Sequence, residues 1–152
     1  MPATALDSAI FRNIFGNEAM RNVWSDGNRI QKYLDFEAGL ARAQAKLGII
    51  PQEACDEIVK HCKVDQFDID KLRKQTERIG YPVLPVVQQL VGLCKGGLGE
   101  WCHWGATTQD ITDTATIMRP RLAPTSGSGP NANATSTPLA VVARWGSLAP
   151  RE

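Results

Sequence analysis

The stretch from Ser25 to Gly48, SDGNRIQKYLDFEAGLARAQAKLG, constrains this chain more than any other. Ile30, Tyr33, Leu34, Glu37, Leu40, Ala41, Gln44 and Leu47 recur at intervals of three and four, which puts their side chains on one face of an α-helix. Ser25 or Asp26 supplies an oxygen to cap the start, and Gly48 supplies the stop, with Pro51 just beyond it. At 3.6 residues per turn such a helix runs for about six turns.

Shorter helical patterns follow. Pro51 suits the first turn of a helix from Gln52 to about Lys63 that turns Ile58 and Cys62 inward. Ile69, Leu72, Thr76 and Ile79 share one side of a third helix, from about Asp68 to Ile79, which Gly80 ends. In YPVLPVVQQLVGLC, Leu84, Val87, Val91 and Cys94 form a stripe flanked by Leu90. The β-branched residues there suit a strand as well, but no other segment alternates in a way that would pair with one. Gly96-Gly97-Leu98-Gly99 then breaks the chain. The expected class is all-α.

A length of 152 residues accommodates about one domain. With 43% hydrophobic and 22% charged residues a packed core is within reach. The net charge of +1 argues against binding nucleic acid or an anionic membrane through bulk charge. No apolar run is long enough to span a bilayer, so no membrane role is expected. The first residues lack the basic-then-apolar order of a secretory signal, which points to a cytoplasmic protein with reduced cysteines. Cys55, Cys62, Cys94 and Cys102 fit no zinc spacing; Cys55 and Cys62, seven apart on one helical face, read as small apolar fillers. Neither a metal nor a cofactor is expected.

One segment is far more polar than a core needs. HWGATTQDITDTA, residues 103–115, holds an imidazole, four threonine hydroxyls, an amide and two carboxylates around one glycine. Thr107 followed three positions later by Asp110 has the form of a capping box at a helix start, and Asp110 and Asp113 suit the helix dipole there. Gly105 permits a sharp bend just ahead. A helix N-terminus with free amides, adjacent hydroxyls and a side-chain amide also makes an anion site, most naturally for a carboxylate. Residue chemistry alone leaves both readings open and favours the plain cap, since such boxes are common.

The same segment resembles the first signature of the fumarase/aspartase superfamily. The likeness is strongest to the branch of the 3-carboxy-cis,cis-muconate cycloisomerases and adenylosuccinate lyases. Residues 15–58, FGNEAMRNVWSDGNRIQKYLDFEAGLARAQAKLGIIPQEACDEI, are similar to the opening of that family, and GYPVLPVVQQL is similar to the apolar helix before the signature. The resemblance covers residues 8–118 and implies an N-terminal helical domain at 1–118. It also implies an enzyme that makes or breaks a bond to carbon beside a carboxylate, acting on a small anionic polycarboxylate as a homotetramer. Carried over by position, Thr107, Thr108 and Gln109 bind the substrate carboxylate, His103 orients substrate or steadies the loop, and Gly105 and Asp110 are structural.

Adenylosuccinate lyases usually carry an early Arg-Tyr pair and a His-Asp pair before the apolar helix. Here those regions read FRNIFGNEAM and TERIGYPVLP. That favours a cycloisomerase-like enzyme, with an adenylosuccinate or other superfamily lyase as the alternative. A non-catalytic helical protein pairing with a full-length paralogue is the third reading. After Met118 the family pattern calls for further turns of helix leading into a central bundle, and for a Gly-Ser-Ser-rich loop carrying the catalytic serine. Pro120 comes instead, and residues 119–152 are rich in Ser, Thr, Gly, Ala, Pro and Asn, with five prolines and no acid before Glu152. Residues 119–152 are therefore expected to be a disordered, low-complexity tail foreign to the family, and the fold to be truncated before the bundle. Asn133-Ala134-Thr135 matches a glycosylation sequon, discounted without an export signal.

Overall fold

The computed structural model describes residues 4–14 and 16–119, and among them all regular structure is helical. In chain order the α-helices are α1 (Glu18–Val23), α2 (Asp26–Lys46), α3 (Gln52–His61), α4 (Ile69–Ile79), α5 (Val83–Leu93) and α6 (Thr108–Met118). Short 3-10 turns at Val64–Gln66 and Leu98–Trp101 link α3 to α4 and α5 to α6. The expected all-α class holds, with α1 as an element that the periodicity did not mark.

Helix α2 is the central strut. The Ser25 hydroxyl accepts from the Asn28 amide at 3.3 Å, fixing its start. At its end the amide of Gly48 donates to Ala45 and that of Ile49 to Gln44, at 3.0 and 2.9 Å. This double closure needs a left-handed residue at the turn, and Gly48 sits at φ 70°. Ile30, Tyr33, Leu34, Phe36, Ala38 and Ala41 are buried along the helix, packed against α3, α5 and α6. Leu47, read as the last residue of the buried stripe, is instead 66% exposed, because it caps the helix and turns away with the chain.

The core joins these faces. Leu34, Ile58, Val86, Leu90 and Ile111 are almost wholly removed from solvent. Each contributes about 1.5–3 kcal/mol of transfer free energy. Two glutamines clamp the connections. Gln31 accepts from the Val64 amide at 3.0 Å and donates to the Cys62 carbonyl at 3.2 Å. That clamp turns the chain at Cys62, so α3 ends at His61 rather than near Lys63. Gln89 makes the corresponding pair with the backbone of Asp68, at 3.0 and 3.1 Å, tying the start of α4 to α5.

Two stripe readings change. In α5 the buried side chains are Val83, Pro85, Val86 and Leu90, whereas Leu84 and Val91 are 41% and 37% exposed. The helix is apolar nearly all round, so spacing alone did not select the inward face. In α4 only Leu72 is buried, with Ile69 and Ile79 outside. Cys55 and Cys62 both face the core, as their spacing indicated.

The segment read as a low-complexity tail lies outside the described residues except for Arg119. That residue closes the last turn of α6 and is buried, its guanidinium 4.5 Å from the centre of the Trp24 ring. Among the described residues no helix is long and apolar enough to cross a membrane.

Candidate functional site

The site lies where the chain leaves the Leu98–Trp101 turn, bends through residues 102–107 and enters α6. Thr107 is the N-cap, and the capping box read from spacing is present. The Thr107 amide donates to the Asp110 carboxylate at 2.9 Å. This takes Asp110 up in the cap, where its charge also faces the positive end of the helix. The amides of Thr108 and Gln109 find no acceptor among the described residues. They are the first two amides of an eleven-residue helix, and with the half-buried Thr108 side chain beside them they face outward together.

The other side chains divide. Gln109 is exposed and its amide nitrogen donates along the helix to Asp113 at 2.7 Å. Thr112 turns its hydroxyl back onto the carbonyls of Thr108 and Gln109, at 3.0 and 3.1 Å. Gly105 has φ 69° and allows the bend. The groups left free at the corner, among the described residues, are thus the two backbone amides and the Thr108 hydroxyl, the Thr107 side chain being taken up in the cap. Gln109 needs a rotamer change to join them.

His103 is held from below. Its ring Nδ1 lies 2.5 Å from Glu37 Oε1, and its backbone amide donates to Glu37 Oε2 at 3.0 Å. Glu37 is 1% exposed, so its two carboxylate oxygens are committed to one residue 66 positions away. The hydrogen bond from its ring to Glu37, aided by the charges of Glu37 and Asp110, holds the imidazole above its ordinary pKa, while burial pulls the other way. The backbone at His103 is left-handed, φ 57°, a conformation that costs a non-glycine residue about 1 kcal/mol. The buried carboxylate offsets that cost.

Gln44 adds a second grip, its amide nitrogen donating to the Trp104 carbonyl at 2.7 Å. Both anchors escaped a functional reading of the sequence. Glu37 and Gln44 were placed on the inward stripe of α2, and an acid on a stripe with Leu34, Leu40 and Ala41 was the signal available. What it would bind was not, because its partner is remote in sequence.

With this geometry in place, the comparisons with known proteins are informative. No protein-family model matches the chain. It is 56% identical over 121 residues to trans-aconitate decarboxylase 1 of Mycosarcoma maydis, covering 80% of this chain and 24% of that protein. It is 40% identical over 124 residues to the 3-carboxy-cis,cis-muconate cycloisomerase of Bradyrhizobium diazoefficiens, covering 80% and 27%. Among solved structures, the β-carboxy-cis,cis-muconate cycloisomerase of Acinetobacter calcoaceticus matches with a TM-score of 0.70 and 33% identity, over 74% of this chain and 27% of that one. The chain spans about a quarter of the length of the relatives it matches. Sequence likeness of this order and the shared helical frame agree, and the chain belongs to the fumarase/aspartase superfamily, whose N-terminal region it matches.

Proposed function

We propose that the corner at the start of α6 is the carboxylate-binding part of a superfamily enzyme acting on a small polycarboxylate. The observation that carries this is the pair of unpartnered amides of Thr108 and Gln109 at the head of α6. Such amides, with a hydroxyl alongside, bind a carboxylate without any rearrangement of backbone. In this reading Thr107, Thr108 and Gln109 donate to the substrate, His103 steadies the bend through Glu37, and Asp110 and Gly105 shape it.

The relatives narrow the substrate class. Trans-aconitate and 3-carboxy-cis,cis-muconate, named in two of them, are both unsaturated tricarboxylates. In decarboxylation or in addition of a carboxylate across a double bond, charge builds on carbon conjugated to a carboxylate. Donors fixed at that carboxylate lower the barrier. The reading is therefore of a cycloisomerase- or decarboxylase-like enzyme on an unsaturated tricarboxylate.

The test is a titration of the isotope-labelled chain with trans-aconitate, followed by amide NMR. Shifts concentrated at Thr108, Gln109 and His103, weakened by Thr108→Val at unchanged stability, support the reading. Shifts spread over surface lysines and arginines, with residues 103–110 unmoved, refute it.

A further inference from the structure

Helices α2 and α6 run antiparallel. The bend that leads into α6 is held by Glu37 and Gln44 in the second half of α2, whereas the last turn of α6 brings Arg119 to Trp24, the residue before the Ser25 cap. There the Arg119 guanidinium stands 4.5 Å from the centre of the Trp24 ring. The corner between α1 and α2 that carries Trp24 is tied on both sides. The Ser25 hydroxyl donates to the Asn22 carbonyl at 2.8 Å, and the Asn28 side-chain amide donates to the Val23 carbonyl at 2.6 Å.

This end of the helix pair has donors in excess. Arg119 is 4% exposed, and its buried Nε and Nη1 have no hydrogen-bond partner among the described residues. The Nε of Arg29, one turn into α2, is likewise buried without a partner. Neither arginine forms an ion pair among the described residues. The Trp24 ring offers its face to the cation but no acceptor to the N–H groups. The amides of Asp26 and Gly27, the first two of a 21-residue helix, also find no acceptor among the described residues. Asp26, the acid of that first turn, is exposed. Burial first and then the like charge of Arg29 weigh against the charged form of Arg119, while Tyr33 and Asp26 weigh for it. A guanidinium stays protonated all the same, and a buried charge with unmet hydrogen bonds is strongly unfavourable.

We propose that the head of α2 and the end of α6 form a second anion site, which takes a phosphate-class dianion on the Arg119 guanidinium and the amides of Asp26 and Gly27. Trp24 backs the flat face of the guanidinium and so fixes the direction of its edge N–H groups. Arg29 supplies a second positive charge, and the start of α2 adds the positive end of its dipole. Two full positive charges against the one carboxylate of Asp26 favour a dianion over a monocarboxylate. Trp24, Asp26 and Gly27 are exposed, so the anion enters from solvent. The site does not depend on the carboxylate corner, from which the eleven residues of α6 separate it by about 16 Å.

The experiment measures thermal unfolding of the full chain in inorganic phosphate and in sodium chloride at matched ionic strength, wild type beside Arg119→Met. In chloride, Arg119→Met is expected to be at least as stable as wild type, because it removes a buried charge without partners. Phosphate is expected to raise the wild-type midpoint in a saturable way and to leave Arg119→Met unmoved, as binding to the folded state alone requires. Amide NMR of the labelled chain should place the phosphate shifts at Asp26, Gly27 and the Trp24 indole N–H. The affinity should fall at least roughly tenfold in Arg119→Met, and by less in Arg29→Met. An equal gain in both chains, a gain that chloride reproduces, or phosphate shifts concentrated at residues 103–110 would each overturn the proposal. So would an Arg119→Met chain clearly less stable than wild type in chloride, since the guanidinium would then be satisfied already without an anion.

Discussion

Replacing Glu37 by glutamine tests the support beneath the bend. The substitution keeps the shape and one acceptor oxygen, so the bond from the His103 amide, 3.0 Å in the native chain, can persist. It removes the charge that pairs with the ring at 2.5 Å. A hydrogen bond between charged groups contributes about 1.5–3 kcal/mol net, against about 1 kcal/mol for a neutral one. Glu37 is fully buried and the His103 side chain is 17% exposed, which limits screening of the pair by water. The expected loss is therefore about 1.5–3 kcal/mol while His103 is protonated.

The sign of the pH dependence follows from the direction of the shift. His103 in the folded chain titrates above the ordinary imidazole value, with Glu37 the main cause. The contribution of the pair is complete below the unfolded value of about 6.5 and is lost as pH rises through the folded value. Wild type and Glu37→Gln should thus differ most below the ordinary imidazole value and converge as pH rises through the raised folded value of His103. Urea unfolding across that range measures the gap, and NMR titration of the His103 ring follows the proton directly. A gap independent of pH, or a His103 that titrates at or below the ordinary value in the wild type, would refute the reasoning.

Three further substitutions test the packing. Leu90→Ala should cost about 2–5 kcal/mol and Val91→Ala less than about 0.5 kcal/mol in urea unfolding, because only the first is buried; equal costs would mean that α5 is rotated. Gly99→Ala places a methyl 2.6 Å from the Val91 carbonyl oxygen and 3.0 Å from its Cα, neither of which can swing aside. A loss of about 1–3 kcal/mol is expected by the same measurement, and neutrality would show that the turn lies farther from α5.

What could be read from the sequence follows from the range of the forces involved. The limits of α2 were legible because they are set locally, by the Ser25 hydroxyl three residues from its donor and by Gly48 at the closing turn. The capping box at Thr107 and Asp110 was legible for the same reason. The inward face of α5 was not, since Val83, Leu84, Val86, Val87, Leu90 and Val91 are interchangeable by hydropathy until a neighbour selects among them. The selection is made by the elements packed around α5, which are the Leu98–Trp101 turn, α3, α4, α6 and α2. Short α1 carries too little periodicity to stand out, and its Asn17 cap, accepting from Met20 at 2.9 Å, is visible only in retrospect. The family resemblance put the opening helix and the later motif in one domain, and the structure adds their pairing through Glu37 and His103.

The two anchors on α2 explain why that pairing matters. Glu37 and Gln44 are seven residues apart, two turns along one face, and they grip successive residues of the bend, the amide and ring of His103 and the carbonyl of Trp104. A segment held at consecutive peptide units by one rigid helix has little freedom left. The capping box then fixes the far end of the bend at Thr107. Between these points the left-handed His103 and Gly105 set the direction in which α6 begins. The free amides of Thr108 and Gln109 are therefore aimed by α2, and a ligand bound there need not spend its binding energy on ordering them. On this argument the acid on the apolar stripe of α2 belongs to the site as much as the threonines do, because without it the bend has no reason to hold a histidine at positive φ.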